Sequence, residues 1–361
     1  MVNPYIDNVT GGGERYTLTI AAHLSKKKGS RVDVIFPKSF NKSKLDDRKK
    51  ELEEKFAIDL SNLHFIKGPF GKGSGKLSRY IFTKKYDVIY YLTDGSFFFS
   101  GAKKNIVYFQ VPLPPPAKSL KNKINFSCWK TKVCNSHFTK DWLEREWGID
   151  IDYLLGGSVD TDLIRPGKKE NLIMNVGRFF LGLHTKRQDV LIKAFIDMCK
   201  NGLKDWRFIL IGTLDPGEEN KKYFESLVEL SKNYPVEIKT HVSFDELNNL
   251  YGTSQIYWHA TGFDVDQTKH PERVEHFGIT VFESMAAGAV PVVIKKGGIV
   301  EIVEDKKSGF LWSDLNELKS LTLKLIKDEK LLDTMSKAAR ARSHTFSEEN
   351  FFKVLDEVIY G

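Results

Sequence analysis

Cysteine is scarce in this chain: there are three, Cys128, Cys134 and Cys199, among 361 residues. Their separations match no zinc ligand set, and an odd number does not make a disulfide framework. A reduced, cytoplasmic compartment is the expectation. Long hydrophobic runs are lacking too. No segment approaches the ~18–20 apolar residues needed to cross a bilayer, and the N-terminal residues do not show the charged-then-apolar pattern of a secretory signal. Internal repeats and low-complexity tracts are also missing, which leaves no case for a solenoid or a disordered tail. What is present is a globular composition, 41% hydrophobic and 28% charged. The length suits two domains rather than one.

The net charge of +8 is unevenly spread. Residues 1–167 hold 28 Lys and Arg against 18 Asp and Glu, whereas the remainder holds 27 against 29. A basic first half calls for an anionic partner, such as an acidic membrane surface or nucleic acid, or is a lysine-rich solvated face. Within it, residues 118–132 mix five lysines with Leu120, Ile124, Phe126 and Trp129. That segment either lies on an anionic membrane or forms a solvated helix packed by one edge.

Apolar runs alternate with helical patterns along the whole chain. Residues 87–92 and 106–110 are almost continuously apolar, as buried parallel strands are. The first unit opens with five residues, Val2-Asn3-Pro4-Tyr5-Ile6, and then the loop Asp7-Asn8-Val9-Thr10-Gly11-Gly12-Gly13-Glu14-Arg15. A helix carrying Tyr16, Leu18, Ile20, Ala21 and Leu24 follows. The three glycines permit close approach of a phosphate or sugar, or make a plain tight turn; they do not fit the dinucleotide fingerprint, because Tyr16 stands where its last glycine belongs. Asp94 and Ser96 fall at a strand's carboxyl end, where open α/β sheets place ligands. In the second half, strand 171–176 leads into Gly177 and Arg178, and Lys186 follows before the next helix. Two cations eight positions apart can clamp a diphosphate, Arg as a planar fork and Lys as a point charge.

The most informative stretch is Glu275-His276-Phe277-Gly278-Ile279-Thr280-Val281-Phe282-Glu283. It reads as a carboxylate in a loop, a glycine at the entry of a short helix, and a second carboxylate in the helix. Unpaired N–H groups at Phe277, Gly278, Ile279 and Thr280 suit phosphates. Glu283 is placed to accept from the vicinal hydroxyls of a ribose, and Glu275 from a second polyol. Asp264-Val265-Asp266 has the spacing of a metal-binding pair, but Asp150 and Asp152 repeat that spacing, so no metal is assigned.

These two glutamates around Phe-Gly-Ile resemble the signature of GT-B glycosyltransferases of family 4. The Gly11-Gly12-Gly13-Glu14-Arg15 loop, the Arg178 and Lys186 positions, and Gly297-Gly298-Ile299-Val300-Glu301 resemble further parts of that pattern. The resemblance implies two Rossmann-like parallel-sheet domains facing across a cleft. The acceptor-side domain would span 1–166, the nucleotide-sugar domain 167–345, and a final helix at about 346–361 would pack back on the first. It implies retaining, metal-independent transfer of a hexose from a nucleoside-diphosphate sugar, GDP-mannose or a UDP-sugar, to a glycan or lipid-linked acceptor. That donor is a co-substrate, and no further cofactor is implied. Glu275, Arg178 and Lys186 would be catalytic, and Gly11, Gly12, Gly13, Phe277, Gly278, Ile279, Thr280 and Glu283 would join them in holding the donor. The protein would be cytoplasmic, with its basic first half on the inner face of a membrane. Where the family has a histidine near the second strand end this chain has Gln110, so no base is assigned there. A hydrolysing sugar-nucleotide epimerase on the same fold and a non-enzymatic anion-binding or nucleic-acid-binding protein are the alternatives. The second lacks base-stacking and binding motifs, and no nucleic acid is expected.

Overall fold

The computed structural model describes residues 1–7, 11–71, 73–161 and 163–361; Asn8, Val9 and Thr10 of the glycine loop, Lys72 and Asp162 lie outside the described residues. The chain divides into two compact units, 1–157 with 351–361, and 158–350. The division falls at Gly157, ahead of the boundary expected at Pro166.

Unit 1 runs α1 (Gly12–Ser25), β1 (Asp33–Phe36), α2 (Leu45–Phe56), β2 (His64–Lys67), α3 (Lys76–Thr83), β3 (Val88–Leu92), β4 (Lys104–Phe109), α4 (Leu120–Phe126), β5 (Thr131–Cys134), α5 (His137–Trp147) and β6 (Tyr153–Leu154). The strands β3-β4-β5-β6 pair in parallel, as do β1 and β2. The segment before the glycine loop contributes one residue, Val2, which bridges Ile35 of β1 and Tyr91 of β3 and joins the two sets. Alternate side chains go to opposite faces. Tyr90, Leu92, Ile106 and Tyr108 enter one core, and Ile89, Tyr91, Val107 and Phe109 the other. Because helices cover both faces, these strands are apolar throughout.

Helix α1 begins earlier than the sequence indicates. Gly12 and Gly13 already form its first turn, with Glu14 returning a carboxylate oxygen to the Gly11 N–H at 3.0 Å. The approach at Gly13 is to a side chain rather than to backbone. A Cβ on Gly13 would stand 2.7 Å from the Gln110 side-chain oxygen.

Unit 2 runs β7 (Glu170–Val176), α6 (Gln188–Lys200), β8 (Arg207–Ile211), α7 (Glu218–Ser231), β9 (Val236–Lys239), α8 (Phe244–Thr253), β10 (Ser254–His259), α9 (Ile279–Ala286), β11 (Val290–Ile294), α10 (Ile299–Ile302), β12 (Phe310–Trp312), α11 (Leu315–Lys327) and α12 (Glu329–Ser343). Its sheet is all parallel in the order β12-β11-β10-β7-β8-β9, the doubly wound arrangement with its switch point between β7 and β10. The final helix, α13 (Glu348–Tyr360), sends Phe351, Leu355, Val358 and Ile359 into a core of unit 1.

Trp258 shows how the unit 2 core is tied together. It is fully buried in β10, packs on Phe195 and Phe208, and donates its indole N–H to Thr322 Oγ1 at 3.0 Å. Trp258→Ala should therefore lower stability by about 3–5 kcal/mol, read as a fall in the urea midpoint. An unchanged midpoint would place Trp258 outside the cooperative core.

Candidate functional site

The expected donor residues of unit 2 gather at the carboxyl ends of β7 and β10, on either side of the switch point. β7 ends at Val176 and delivers Gly177 and Arg178; β10 ends at His259. Between them lie Lys186, just ahead of α6, and Glu275, just ahead of α9.

Lys186 Nζ donates to Glu275 Oε2 at 2.5 Å, with both side chains 18% exposed. His259 Nε2 reaches the same oxygen at 3.2 Å. The tautomer follows from its other nitrogen: Nδ1 accepts from the Thr261 N–H at 3.4 Å, so Nε2 carries the proton and donates to Glu275. Burial pushes the His259 imidazole below its ordinary range, more than Glu275 pulls it up. For Glu275, burial opposes the charged form, but Lys186 and His259 outweigh it and hold the carboxyl well below the usual carboxylate range. The site thus contains an ionised Glu, a cation and a neutral imidazole, with Glu275 oriented from two sides.

The loop carrying Glu275 is fixed by backbone contact. Gly298 N–H donates to the Glu275 carbonyl at 2.9 Å, and a Cβ on Gly298 would lie 2.0 Å from the His276 carbonyl oxygen. The preceding connection is pinned along its length. His184 Nδ1 donates to the Glu272 carbonyl at 3.0 Å, His276 Nε2 to the Pro271 carbonyl at 3.1 Å, and Lys296 Nζ to the carbonyls of Gly262 and Val265 at 3.1 and 2.6 Å. Asp264 and Asp266 have separate partners: Asp264 faces Arg187 at 3.6 Å, and Asp266 accepts from the Thr268 hydroxyl at 2.6 Å.

Arg178 does not join the Lys186 pair. Its guanidinium donates to Asp215 Oδ2 at 2.7 Å and lies over the Phe180 ring. The buried Gln188 holds the main chain beneath it, donating to the Gly177 and Arg178 carbonyls at 3.2 and 3.1 Å and accepting from the Tyr223 hydroxyl at 3.1 Å. Asp215, Gln188 and His259 escaped the sequence reading. For His259 a signal existed, since a polar residue ending a buried strand marks the ligand edge of such a sheet.

Gly278, at φ +99°, is the N-cap of α9, and Thr280 in its first turn accepts from the Tyr257 hydroxyl at 2.7 Å. Phe277 points inward, its ring packed edge-on against Phe282 and Phe346, so only its backbone is available to a ligand. Glu283 is 3% exposed and accepts from the Tyr251 hydroxyl at 2.9 Å; a ribose there would meet a carboxylate that the protein already engages. Gly11, Gly12 and Gly13 belong to unit 1, at the entry of α1. Gln110 lies over Gly13, and Asn135 donates to the Gln110 carbonyl at 2.9 Å. Asp94 is taken up by its own turn, accepting from Ser96 Oγ at 2.6 Å and Tyr91 at 3.1 Å.

Residues 163–342 match the family described as glycosyl transferases group 1. The chain is 30% identical over 152 residues to a glycogen synthase of Thermodesulfovibrio yellowstonii, covering 42% of this chain and 26% of that protein. It is 29% identical over 196 residues to the GDP-Man:Man(3)GlcNAc(2)-PP-Dol alpha-1,2-mannosyltransferase of Dictyostelium discoideum, covering 51% and 36%. The chain thus spans well under half the length of these two relatives. A crystal structure of Anabaena HepE in complex with UDP and glucose superposes with a TM-score of 0.71 at 18% identity, over 99% of this chain and 98% of that one. The architecture is accordingly that of the GT-B glycosyltransferases.

The histidines that pin the site loop give it a pH dependence. Burial, and then His184 beside it, lower the His276 imidazole to about 3, against about 6.5 when unfolded. As pH falls below 6.5 the unfolded chain takes up the proton first, so stability drops toward pH 3 by up to ~1.4 kcal/mol per pH unit from this residue. His276→Asn should shrink the difference between urea midpoints at pH 7.5 and pH 5. Equal differences in the two proteins would count against a neutral, buried His276.

Proposed function

The chain belongs, through residues 163–342, to the glycosyl transferases group 1 family, and from that membership we propose a retaining transferase that moves a hexose from a nucleoside-diphosphate sugar to a glycan or lipid-linked acceptor. The observation that carries the proposal is the Lys186–Glu275–His259 cluster at the switch point, with Arg178 beside it.

In this reading the diphosphate lies over the entry of α9. The amides of Phe277, Gly278, Ile279 and Thr280 face its oxygens, and Arg178 and Lys186 supply positive charge. Glu275 accepts from sugar hydroxyls, and Glu283 from the ribose in exchange for contacts it makes within the protein, such as that from Tyr251. As the anomeric C–O bond breaks, its electron pair passes to the departing diphosphate, which Arg178, Lys186 and the amides stabilise. Fixed charges and dipoles of this kind supply the larger share of many enzymes' rate enhancement. The acceptor hydroxyl forms the new bond on the same face, and its proton passes to a leaving-phosphate oxygen, so no carboxylate has to attack and no metal has to take part.

One relative is named for GDP-Man and one structural neighbour holds UDP, so the test must span both bases. Thermal unfolding with UDP, GDP, ADP and their sugars should show stabilisation by one nucleotide class, worth ~2.7 kcal/mol at a hundredfold excess over Kd. A flat response to every member would sink the donor reading. With the responding sugar nucleotide, Lys186→Ala and Glu275→Ala should each slow transfer about 10²-fold or more; unchanged rates in both would remove these residues from the mechanism. Release of an epimerised free sugar without an acceptor would instead favour the epimerase.

A further inference from the structure

Unit 1 carries a surface that the transfer chemistry leaves unused. From Leu60 to Lys140 the sequence holds 14 Lys and Arg against two carboxylates, Asp87 and Asp94. Asp87 is paired with Lys103 at 2.6 Å, and Asp94 is tied into its own turn. The positive charge of this segment is therefore almost uncompensated from within.

The fold gathers the apolar residues of the same segment. Helix α3 is anchored by one side: Arg79 donates to the Pro69 carbonyl at 3.2 Å and lies over the Phe70 and Phe98 rings, and Thr83 accepts from the Gly101 N–H at 2.8 Å. Leu77 and Ile81, one helical turn apart and away from these anchors, are 70% and 61% exposed. The turn at 97–101 links α3 to α4, since Tyr80 stacks on Phe99, and Asn125 donates to the Phe97 carbonyl at 2.9 Å. On α4 the exposed pair is Leu120 and Ile124, at 74% and 50%. Lysines 76, 84, 118, 121 and 123, on the same two helices or next to their ends, are exposed as well.

Two short helices that present exposed aliphatic side chains one turn apart, with exposed lysines on and beside the same helices, match the interface of an anionic bilayer. The aliphatic groups leave water at the acyl boundary, while lysine stems follow them and keep their ammonium groups among the phosphates. Nucleic acid would satisfy the lysines and leave the four aliphatic chains in water. We infer that this face of unit 1 docks on an anionic lipid surface, with Leu77, Ile81, Leu120 and Ile124 inserted and the lysines holding headgroup phosphates. Docking of this kind does not depend on which donor the other unit takes.

The whole protein should co-sediment with vesicles of phosphatidylcholine and phosphatidylglycerol, bind pure phosphatidylcholine vesicles far more weakly, and release at high salt. Leu77→Ser with Ile81→Ser, and separately Lys118→Glu with Lys121→Glu, should each weaken binding about tenfold or more, with urea midpoints unchanged because all four residues are exposed. Absence of vesicle binding would overturn the inference, as would equal binding to the neutral vesicles. So would oligonucleotide binding at physiological salt that is stronger than vesicle binding and indifferent to the Leu77 and Ile81 changes.

Discussion

The geometry of the site depends on a contact of backbone against backbone. The turn after β11 brings Gly297 and Gly298 onto the main chain of Glu275 and His276, so close that a Cβ on either glycine would lie about 2 Å from a carbonyl oxygen. No side chain can be interposed, and the Gly298 N–H is bonded to the Glu275 carbonyl as a result. Glu275 therefore leaves a stretch of chain whose position is set by the sheet rather than by a loop of its own. A carboxylate delivered this way can be placed against Lys186, 89 residues earlier in sequence, without paying ordering entropy at the time of binding.

The sheet then explains why these particular groups converge. In the order β12-β11-β10-β7-β8-β9, connections leave β7 and β10 in opposite directions, and the crevice between their carboxyl ends is open to side chains from both. Arg178 and Lys186 come from the β7 side, His259 and Glu275 from the β10 side, and α9 aims its first turn between them. The long connection from Ala260 to Val274 would leave this edge loose if its carbonyls went unclaimed. His184, His276 and Lys296 donate to four of them, so side chains near the site spend their hydrogen bonds on holding its frame.

Much of this was legible in the sequence where a local pattern reports a local fact. Strands buried on both faces are nearly continuous apolar runs, which is why 87–92 and 106–110 could be read directly. The pairing of two glutamates across a helix entry could be read as well, because its spacing is set by one loop and two turns of helix. What escaped was relational. Asp215 matters because β8 lies beside β7, and Gln188 because α6 packs beneath Gly177; neither neighbour is implied by adjacent residues. The glycine run was legible as a place of close approach, which Gln110 makes over Gly13, but not as the first turn of α1. Phe277, Glu283 and Asp94 show the opposite case: polar or aromatic groups at ligand-side positions whose side chains turn out to be engaged by the protein itself.

The cluster is also balanced in charge. Arg178 faces Asp215, Lys186 faces Glu275, and the three nearby histidines are shifted toward their neutral forms. Without ligand the group is therefore close to electroneutral, which makes two partly buried cations tolerable at one sheet edge. Under the proposed function, a diphosphate has to engage cations that already have partners, and the two pairs respond differently. The guanidinium of Arg178 has five donors in a planar fork, so it can keep Asp215 and still present N–H groups to a phosphate. The ammonium of Lys186 is a point charge, and turning it toward a phosphate weakens its hold on Glu275. A part-buried carboxylate loosened in this way needs other donors, and sugar hydroxyls are the donors that arrive with the diphosphate. In this scheme the Lys186–Glu275 pair is both a stabilising contact of the unliganded protein and an exchangeable one, which couples recognition of the phosphates to recognition of the sugar.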